Sequence, residues 1–171
     1  MIAVFETPRL RLRTWSPSPH DAEFLLRLYG DPAVMRHLGA PPWTSLDRAH
    51  LAIERATAQQ SERGHCIWAV ERRDEASLLG ACGLYHVEHE QVTEVAYHFI
   101  PLAWGHGYAT EALRATLAYA HTALGLARVV GAAVPENTAS RRVMEKAGMI
   151  SLGIGAFDGE AGLALYESTS G

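Results

Sequence analysis

The sequence predicts a mixed α/β fold of the α+β class, with seven strands and four helices in the order β-αα-βββ-α-β-α-ββ. Three observations lead to this prediction. Alternating or short apolar segments are typical of strands, apolar residues three and four apart are typical of helices, and glycine, proline and polar residues separate the two kinds. No repeat, low-complexity stretch or linker divides the chain. We therefore expect one domain over residues 1–171.

The N-terminal part begins with a strand and continues with two helices. Residues 9–13, RLRLR, alternate strictly, as in a strand with one buried face. Ser18 can cap the first helix, and Pro19 suits its first turn. After the break at residues 40–43, we expect a second helix to begin at Thr44 or Ser45 and to run to about Arg63.

The rest of the chain adds six strands and two helices. The polar stretch 86–91 predicts a hairpin loop. The two helices follow Gly107 and Asn137 and end near Gly125 and Gly148. The expected strands are 66–71, 78–87, 92–100, 128–134, 149–154 and 163–167.

The composition excludes several classes of protein. The net charge is −4 and no Lys/Arg cluster is present, so nucleic acid is not an expected partner. Cys66 and Cys82 are isolated, which favours neither a zinc ribbon nor a disulfide framework. Residues 1–10 lack the pattern of a signal peptide, and no apolar run is long enough to cross a membrane. We therefore expect a cytoplasmic protein.

The stretch 104–112, WGHGYATEA, places two glycines before a helix. It is not a dinucleotide fingerprint, because Thr110 stands where the third glycine belongs, and it lacks the lysine of a phosphate-binding P-loop. A structural turn and an anion site fit this stretch about equally well on its own. Gly105, Gly107 and Ala109 are small enough for a pyrophosphate to approach the main chain.

A second motif lies at residues 135–149, PENTASRRVMEKAGM. Asn137 and Ser140 stand three residues apart at a helix start. Asn137 can simply cap the helix, with Ser140 as a polar residue of the first turn. A complete capping box would need Glu or Gln at position 140, so capping explains the pair only in part.

Together these motifs resemble the GNAT superfamily of acyl-CoA-dependent N-acetyltransferases. PLAWGHGYATEA at 101–112 and NTASRRVMEKAGM at 137–149 carry the resemblance, and TPRLRLR at 7–13 and TEVAYHFIP at 93–101 extend it over nearly the whole chain. The branch it looks most like contains the ribosomal-protein N-terminal acetyltransferases. Trp104 departs from the Gln or Arg that is usual at this position of the family pattern.

The resemblance implies a fold and a cosubstrate. The fold is a GNAT-like, mostly antiparallel sheet of seven strands, splayed between the strands at 92–100 and 128–134, with helices on both faces. Acetyl-CoA would enter the splay, with its pantetheine on the strand backbone and its pyrophosphate on residues 106–110. The residues expected to bind it are Phe99, Ile100, Leu102, Gly105, His106, Gly107, Tyr108, Ala109, Thr110, Asn137 and Ser140.

The implied reaction transfers an acetyl group to a primary amine, of a small molecule or a peptide. Glu94 is the first candidate for the general base, against the alternative of a solvated carboxylate. His98 shares its face of the strand but fits a partly buried histidine better. Ser140 would donate to the CoA sulfur, and Asn137 would hold the pantetheine or a water.

One departure from the family pattern leaves a second function open. Many GNAT enzymes carry a tyrosine acid where this chain has Met144, which cannot donate a proton. The chain could therefore be an inactive acyl-CoA-binding sensor or partner protein. Tyr166 could substitute for the tyrosine, although a core aromatic residue fits it better.

The remaining expectations concern metals, structural residues and the acceptor. His86 and His89 form the closest histidine pair, but no third ligand follows at a suitable spacing, so we expect no metal. Glu111 follows the glycine turn and is expected to be structural, since a carboxylate would repel a pyrophosphate. The acceptor pocket should involve His37, Trp43, His65, Phe157 and Asp158, and the protein should be a monomer or a homodimer.

Overall fold

The computed structural model describes residues 3–171 and contains one eight-stranded sheet with the order β1-β2-β3-β4-β5-β6-β8-β7. Residues 1 and 2, with which the expected domain and the stretch tested for a signal peptide begin, lie outside this description. The strands are β1 (Ala3–Glu6), β2 (Leu10–Arg13), β3 (Ile67–Arg72), β4 (Leu78–Val87), β5 (Val92–Phe99), β6 (Arg128–Ala133), β7 (Ile150–Phe157) and β8 (Glu160–Thr169). The helices are α1 (Pro19–Gly30), α2 (Pro32–Met35), α3 (Leu46–Arg63), α4 (Tyr108–Thr122) and α5 (Thr138–Ala147), with a 3₁₀ turn at Pro101–Ala103.

The eighth strand is β1, where the sequence predicts only seven strands. β1 pairs antiparallel with β2 at the edge of the sheet, and a bulge interrupts the register between Ala3 and Phe5. A bulge breaks the two-residue alternation by which a strand is recognised in a sequence. The one-turn helix α2 is also additional. Asp31 caps it, and Pro32 occupies its first turn.

Caps mark the starts of α1 and α3 and the end of α3. Ser18 accepts a hydrogen bond from the Asp21 N–H at the start of α1, and Ser45 accepts one from the Asp47 N–H at the start of α3. Gly64 ends α3 with φ of 74°, a conformation that other residues adopt at a cost. These caps confirm the helix starts expected at Ser18 and near residue 45.

The sheet is splayed between β5 and β6. These two strands are parallel and share only the pairs Thr93–Val129 and Glu94–Val130. By contrast, β4 and β5 pair from Val92 to Phe99 without a break in register. Beyond Glu94, therefore, β5 and β6 diverge and open a cleft. The predicted splay is confirmed.

Helices cover both faces of β5, as predicted. Successive side chains of a strand point to opposite faces. The Tyr97 hydroxyl donates to the Ser140 carbonyl of α5 at 2.9 Å, whereas the next side chain, His98, bonds through Nδ1 to the Tyr29 hydroxyl of α1 at 3.0 Å. The two groups of helices thus hold β5 in place from opposite sides.

A buried ion network ties the N-terminal strand to the first helix. The guanidinium of Arg13 donates to Asp21 at 2.7 and 3.0 Å and to Glu71 at 2.8 Å. All three side chains are almost fully buried. Burial alone would raise the pKa of Asp21, but the hydrogen bonds from Arg13 and the Ser16 N–H outweigh it and keep that pKa below its usual range.

Substituting Arg13 with methionine should therefore destabilise the fold by about 3–5 kcal/mol, because the buried Asp21 would lose its arginine and the buried Glu71 would keep only Arg11 at 3.1 Å. Urea unfolding followed by circular dichroism measures this change. The control is Arg55→Met on the exposed face of α3, which should stay within about 0.5 kcal/mol of the original protein. Equal stability of the two variants would contradict a structural role for the network.

Candidate active site

A cleft of about 1500 Å³ lies in the splay between β5 and β6. Most of its wall comes from five parts of the chain: β5, the turn leading into α4, the end of β6 with α5, residues 33–39, and the β7–β8 hairpin. Ile67 of β3 and Tyr85 of β4 also line it. This volume can hold a large cosubstrate together with an acceptor. The cleft is therefore the candidate active site.

The glycine turn places backbone N–H groups at the mouth of the cleft. Gly105 and Gly107 both have φ of 79°, and Gly107 directly precedes α4. The helical hydrogen bonds begin with the Glu111 N–H, which donates to the Gly107 carbonyl. The three preceding N–H groups, of Tyr108, Ala109 and Thr110, are those that a helix leaves for an anion.

The structure brings most, but not all, of the predicted cofactor residues to the cleft. The residues that line it are Phe99, Gly105, Gly107, Tyr108, Ala109, Thr110, Asn137 and Ser140. Three others do not line it. Leu102 is 87% exposed on the 3₁₀ turn. His106 is exposed and bonds through Nδ1 to the Trp104 carbonyl at 2.8 Å. The backbone N–H of Ile100 is hydrogen bonded to β4.

The backbone pairing of β5 explains the misplacement of Ile100. Its N–H donates to the Leu79 carbonyl at 2.9 Å, and its own carbonyl accepts from the Ala103 N–H. The backbone N–H and C=O groups of successive residues in a strand point to opposite sides. The N–H groups of Tyr97 and Phe99 therefore point away from β4 and toward the cleft. The Phe99 carbonyl accepts from the Trp104 indole at 2.7 Å, so Trp104 helps to hold the turn.

Glu111 braces the glycine turn from outside, which confirms the structural role expected for it. Its carboxylate accepts from the Thr7 hydroxyl at 2.6 Å, and from the Arg9 N–H and Nε at 3.0 and 2.7 Å. Arg9 also donates to the His106 carbonyl at 3.0 Å and stacks over the Tyr108 ring. No local sequence pattern links Arg9 to this turn, because Arg9 and His106 are 97 positions apart in the chain.

Glu94 lies inside the cleft, at the point where β5 and β6 diverge. It is only 6% exposed. Burial raises the pKa of its carboxyl to about 7, against hydrogen bonds from the Tyr85 hydroxyl and the Ala132 N–H that favour the charged form. The nearby Asp158 adds a smaller repulsive contribution. A carboxyl group with this pKa can accept a proton near neutral pH.

Ser140 and Asn137 lie together on the other wall of the cleft. The Asn137 Oδ1 accepts from the Ser140 N–H at 3.1 Å, so Asn137 caps α5. The Ser140 hydroxyl lies 2.7 Å from the Tyr97 hydroxyl. Burial raises the pKa of Tyr97, which therefore stays protonated and can hydrogen bond to Ser140. No local sequence pattern links Tyr97 with Ser140, which is 43 positions further along the chain.

His98 lines the cleft on the face that β5 turns toward α1. Burial lowers its pKa to about 4, so its imidazole is neutral and a weak base at neutral pH. Its contact with Tyr29 anchors β5 to α1. The structure thus supports a partly buried strand histidine at this position.

Three of the five predicted acceptor residues lie in the cleft. His37, Phe157 and Asp158 line it. Trp43 instead packs on Tyr29, with ring centroids 4.6 Å apart. His65 is also misplaced, since it follows α3 and bonds to the Leu84 carbonyl away from the cleft. The three residues in the cleft belong to two parts of its wall, residues 33–39 and the β7–β8 hairpin.

The comparisons with known proteins decide the family. The family model described as "Acetyltransferase (GNAT) domain" matches residues 9–150. The chain belongs to the GNAT family of acetyltransferases. It is 30% identical over 155 residues to YoaA, an uncharacterised N-acetyltransferase of Bacillus subtilis, with 90% of this chain and 86% of that protein covered.

Solved structures of the GNAT family match the fold. A GNAT acetyltransferase from Bacillus anthracis has a TM-score of 0.82 and 25% identity, with 96% of each chain covered. RimL, a ribosomal L7/L12 α-N-protein acetyltransferase crystallised with coenzyme A, has a TM-score of 0.79 and covers 98% of both chains. At 15% identity, RimL shows the fold alone and does not place this chain in the ribosomal branch.

This chain has no proton donor at the position where many GNAT enzymes carry a tyrosine acid. Met144 is 1% exposed, and its sulfur packs against Gly131 of β6. Tyr166 is equally buried, and its hydroxyl is held by Glu145 at 2.9 Å and Arg141 at 3.2 Å. Tyr166 is therefore a core residue. The hydroxyl groups that line the cleft near α5 are those of Ser140 and Tyr97.

The described part of this GNAT chain shows no group of three or more His, Cys, Asp or Glu that could hold a metal. His86 and His89 instead lie 3.8 and 3.7 Å from Glu88 and Asp158. Cys66 and Cys82 are buried free thiols. Between residues 3 and 171, no helix is both long and apolar enough to span a membrane.

Proposed function

We propose that this chain, as a single acetyltransferase domain, transfers an acetyl group from acetyl-CoA to a primary amine of a small molecule or a protein N-terminus. The amine would attack the thioester directly while both substrates are bound. The observation that carries the proposal is the position of Glu94, a buried carboxyl group with a pKa of about 7 in the cleft that β5 and β6 form.

In the proposed reaction, Glu94 takes a proton from the amine, directly or through a water. The amine nitrogen then forms a bond to the acetyl carbon, and a β5 N–H facing the cleft stabilises the oxyanion. When the carbon–sulfur bond breaks, the Ser140 hydroxyl donates a hydrogen bond to the thiolate. The thiolate takes up a proton from solvent, and Glu94 releases to solvent the proton that it took from the amine. The products are the acetylated amine and free CoA thiol.

The cofactor would lie along the cleft from the glycine turn to Glu94. The N–H groups of Tyr108, Ala109 and Thr110 are positioned for its pyrophosphate, and the N–H groups of Tyr97 and Phe99 for its pantetheine amides. Asn137, which caps α5, would also contact the pantetheine. These assignments use backbone groups, which explains why Trp104 can replace the usual Gln or Arg.

Replacing Ser140 with alanine should slow turnover about 10- to 100-fold while acetyl-CoA binding changes little, because the hydroxyl is needed only as negative charge develops on sulfur. Stopped-flow thiol release measures turnover, and calorimetry measures binding. Tyr97→Phe is the matched variant, since it removes the 2.7 Å partner of Ser140 and should cause a smaller loss. If acetyl-CoA affinity and turnover fell equally, Ser140 would act in binding and not in the chemical step.

A second candidate function is that of an inactive acyl-CoA-binding protein. Met144 favours it, because this buried side chain stands where many GNAT enzymes carry a proton-donating tyrosine. Release of free thiol from acetyl-CoA, measured with amino acids, polyamines, aminoglycosides and peptides as acceptors, separates the two. Thiol release that depends on one acceptor class supports the enzyme. Tight acetyl-CoA binding without acceptor-dependent release supports the binding protein.

A further inference from the structure

A second cavity, of about 530 Å³, lies where β5 and β6 begin. Thr93 and Arg128 line it, together with residues that follow α3 and α4. It does not share a lining residue with the active-site cleft. Nothing in the proposed acetyl transfer uses it.

His65 supplies a hydrogen-bond acceptor to this cavity. The residue is only 6% exposed, and its Nδ1 must donate to the Leu84 carbonyl at 3.2 Å, since a carbonyl can only accept. Burial, with smaller contributions from Arg63 and His86, lowers the pKa of its imidazole, which is therefore neutral. Nε2 then carries a lone pair.

Nε2 of His65 has no partner within the described residues. Since no fully buried side-chain nitrogen or oxygen in residues 3–171 lacks a partner, Nε2 must reach open space. His65 lines the cavity, which offers such open space beside the imidazole. The lone pair of Nε2 favours a ligand that carries a hydrogen-bond donor.

The charges of the wall favour an anion. Arg63 and Arg128 both line the cavity. Each uses a single nitrogen for a carboxylate outside it: Arg63 Nη2 for Glu88 at 3.0 Å and Arg128 Nε for Glu167 at 2.8 Å. Their other N–H groups are left for a ligand. The one acidic residue of the wall, Glu90, accepts from the Asp158 N–H at 3.1 Å.

We propose that this cavity binds a small oxyanion that also carries a hydroxyl hydrogen, of the class of hydrogenphosphate or a 2-hydroxycarboxylate. The guanidinium groups of Arg63 and Arg128 bind its charged oxygens. Nε2 of His65 accepts its hydroxyl hydrogen. A cavity of this size, partly walled by Leu124 and Leu126, also has room for a short carbon chain on the ligand.

The test is calorimetric titration of the full chain with two pairs of anions, in buffer free of other oxyanions. Glycolate and acetate carry the same charge and differ in one hydroxyl group. Phosphate and sulfate differ in the same way near neutral pH. We expect glycolate to bind about tenfold more tightly than acetate, and phosphate more tightly than sulfate. A preference for phosphate alone identifies the phosphate class, and a preference for glycolate alone identifies the hydroxycarboxylate class.

Two variants locate the binding. His65→Asn keeps a donor for the Leu84 carbonyl but removes Nε2, so it should remove the preference for the hydroxylated anions. Arg128→Met should weaken binding of all four anions about tenfold. It lies near the surface and remains informative if the buried variant does not fold. Arg55→Met, an exposed arginine of α3, is the control and should bind as the original protein does.

All titrations are repeated with CoA at saturation, which blocks the phosphate positions at the glycine turn. Binding that persists with CoA present supports the second cavity. The proposal is overturned if CoA abolishes the binding, if the hydroxylated anion is preferred in neither of the two pairs, if none of the four anions binds, or if His65→Asn and Arg128→Met bind as the control does.

Discussion

Replacing Glu94 with glutamine is expected to lower kcat by about 100- to 10,000-fold, the range that a general base contributes. Glutamine has nearly the same shape and can accept from the Tyr85 hydroxyl and the Ala132 N–H, but it cannot take a proton. Acetyl-CoA affinity should change little. Thiol release at saturating substrates measures kcat, and calorimetry measures affinity.

The pH profile distinguishes loss of a base from loss of shape. The raised pKa of Glu94, about 7, means that the carboxyl is protonated and inactive below that pH and charged above it. Activity should therefore rise about tenfold per pH unit up to neutrality and then level off. This rise should be absent in Glu94→Gln. A variant that keeps both the rate and the rise would show that the base lies elsewhere.

Tyr85→Phe is the matched control for this profile. The hydrogen bond from the Tyr85 hydroxyl favours the charged form of Glu94 and so lowers its pKa. Its removal should move the rise in activity to higher pH while the plateau changes little. Glu160→Gln, which removes a more exposed carboxylate from the same cleft, should leave the midpoint nearly unchanged.

Replacing Thr110 with glutamate should weaken CoA binding about 100-fold or more. Thr110 is the third residue of α4, and its side chain lines the cleft beside the three N–H groups left for an anion. A carboxylate there repels the pyrophosphate and can itself occupy the helix N-terminus. Calorimetric titration with CoA measures the loss.

Thr110→Gln separates charge from size, because glutamine has almost the volume of glutamate without its charge. We expect it to weaken CoA binding by less than about tenfold, the value of a single neutral contact. The difference between the two variants should shrink as salt is added, since charges near a surface are screened. If Glu and Gln at position 110 have the same effect, the pyrophosphate does not lie at this turn.

The sequence alone predicts most of the fold, because the patterns that define its elements are local. The strand at residues 9–13 and the caps at Ser18 and near residue 45 depend on neighbours in the chain, and the structure confirms them. The expectation of a single buried face for that strand is wrong, because Arg13 is buried in an ion network on the opposite face. The strand β1 is not predicted from the sequence, because a bulge between Ala3 and Phe5 interrupts the two-residue alternation that is typical of a strand.

The site is less predictable, because it depends on register and on long-range contacts. Whether Ile100 or its neighbours face the cleft is decided by the pairing of the Ile100 N–H with Leu79, and a shift of one residue would reverse the answer. The hydroxyl pair of Tyr97 and Ser140 spans 43 residues. No local sequence motif predicts such contacts. They follow only once the strands and α5 are packed together.

The short pairing of β5 with β6 has a consequence for the evolution of this protein. Two residue pairs join the five strands β1–β5 to the three strands β6–β8, so the sheet is weakest where the cleft opens. Substitutions that extended this pairing would add hydrogen bonds and stability, but each added pair would fill space that the substrates need. Selection for greater stability and selection for an open site therefore act in opposite directions on the residues where β5 and β6 meet.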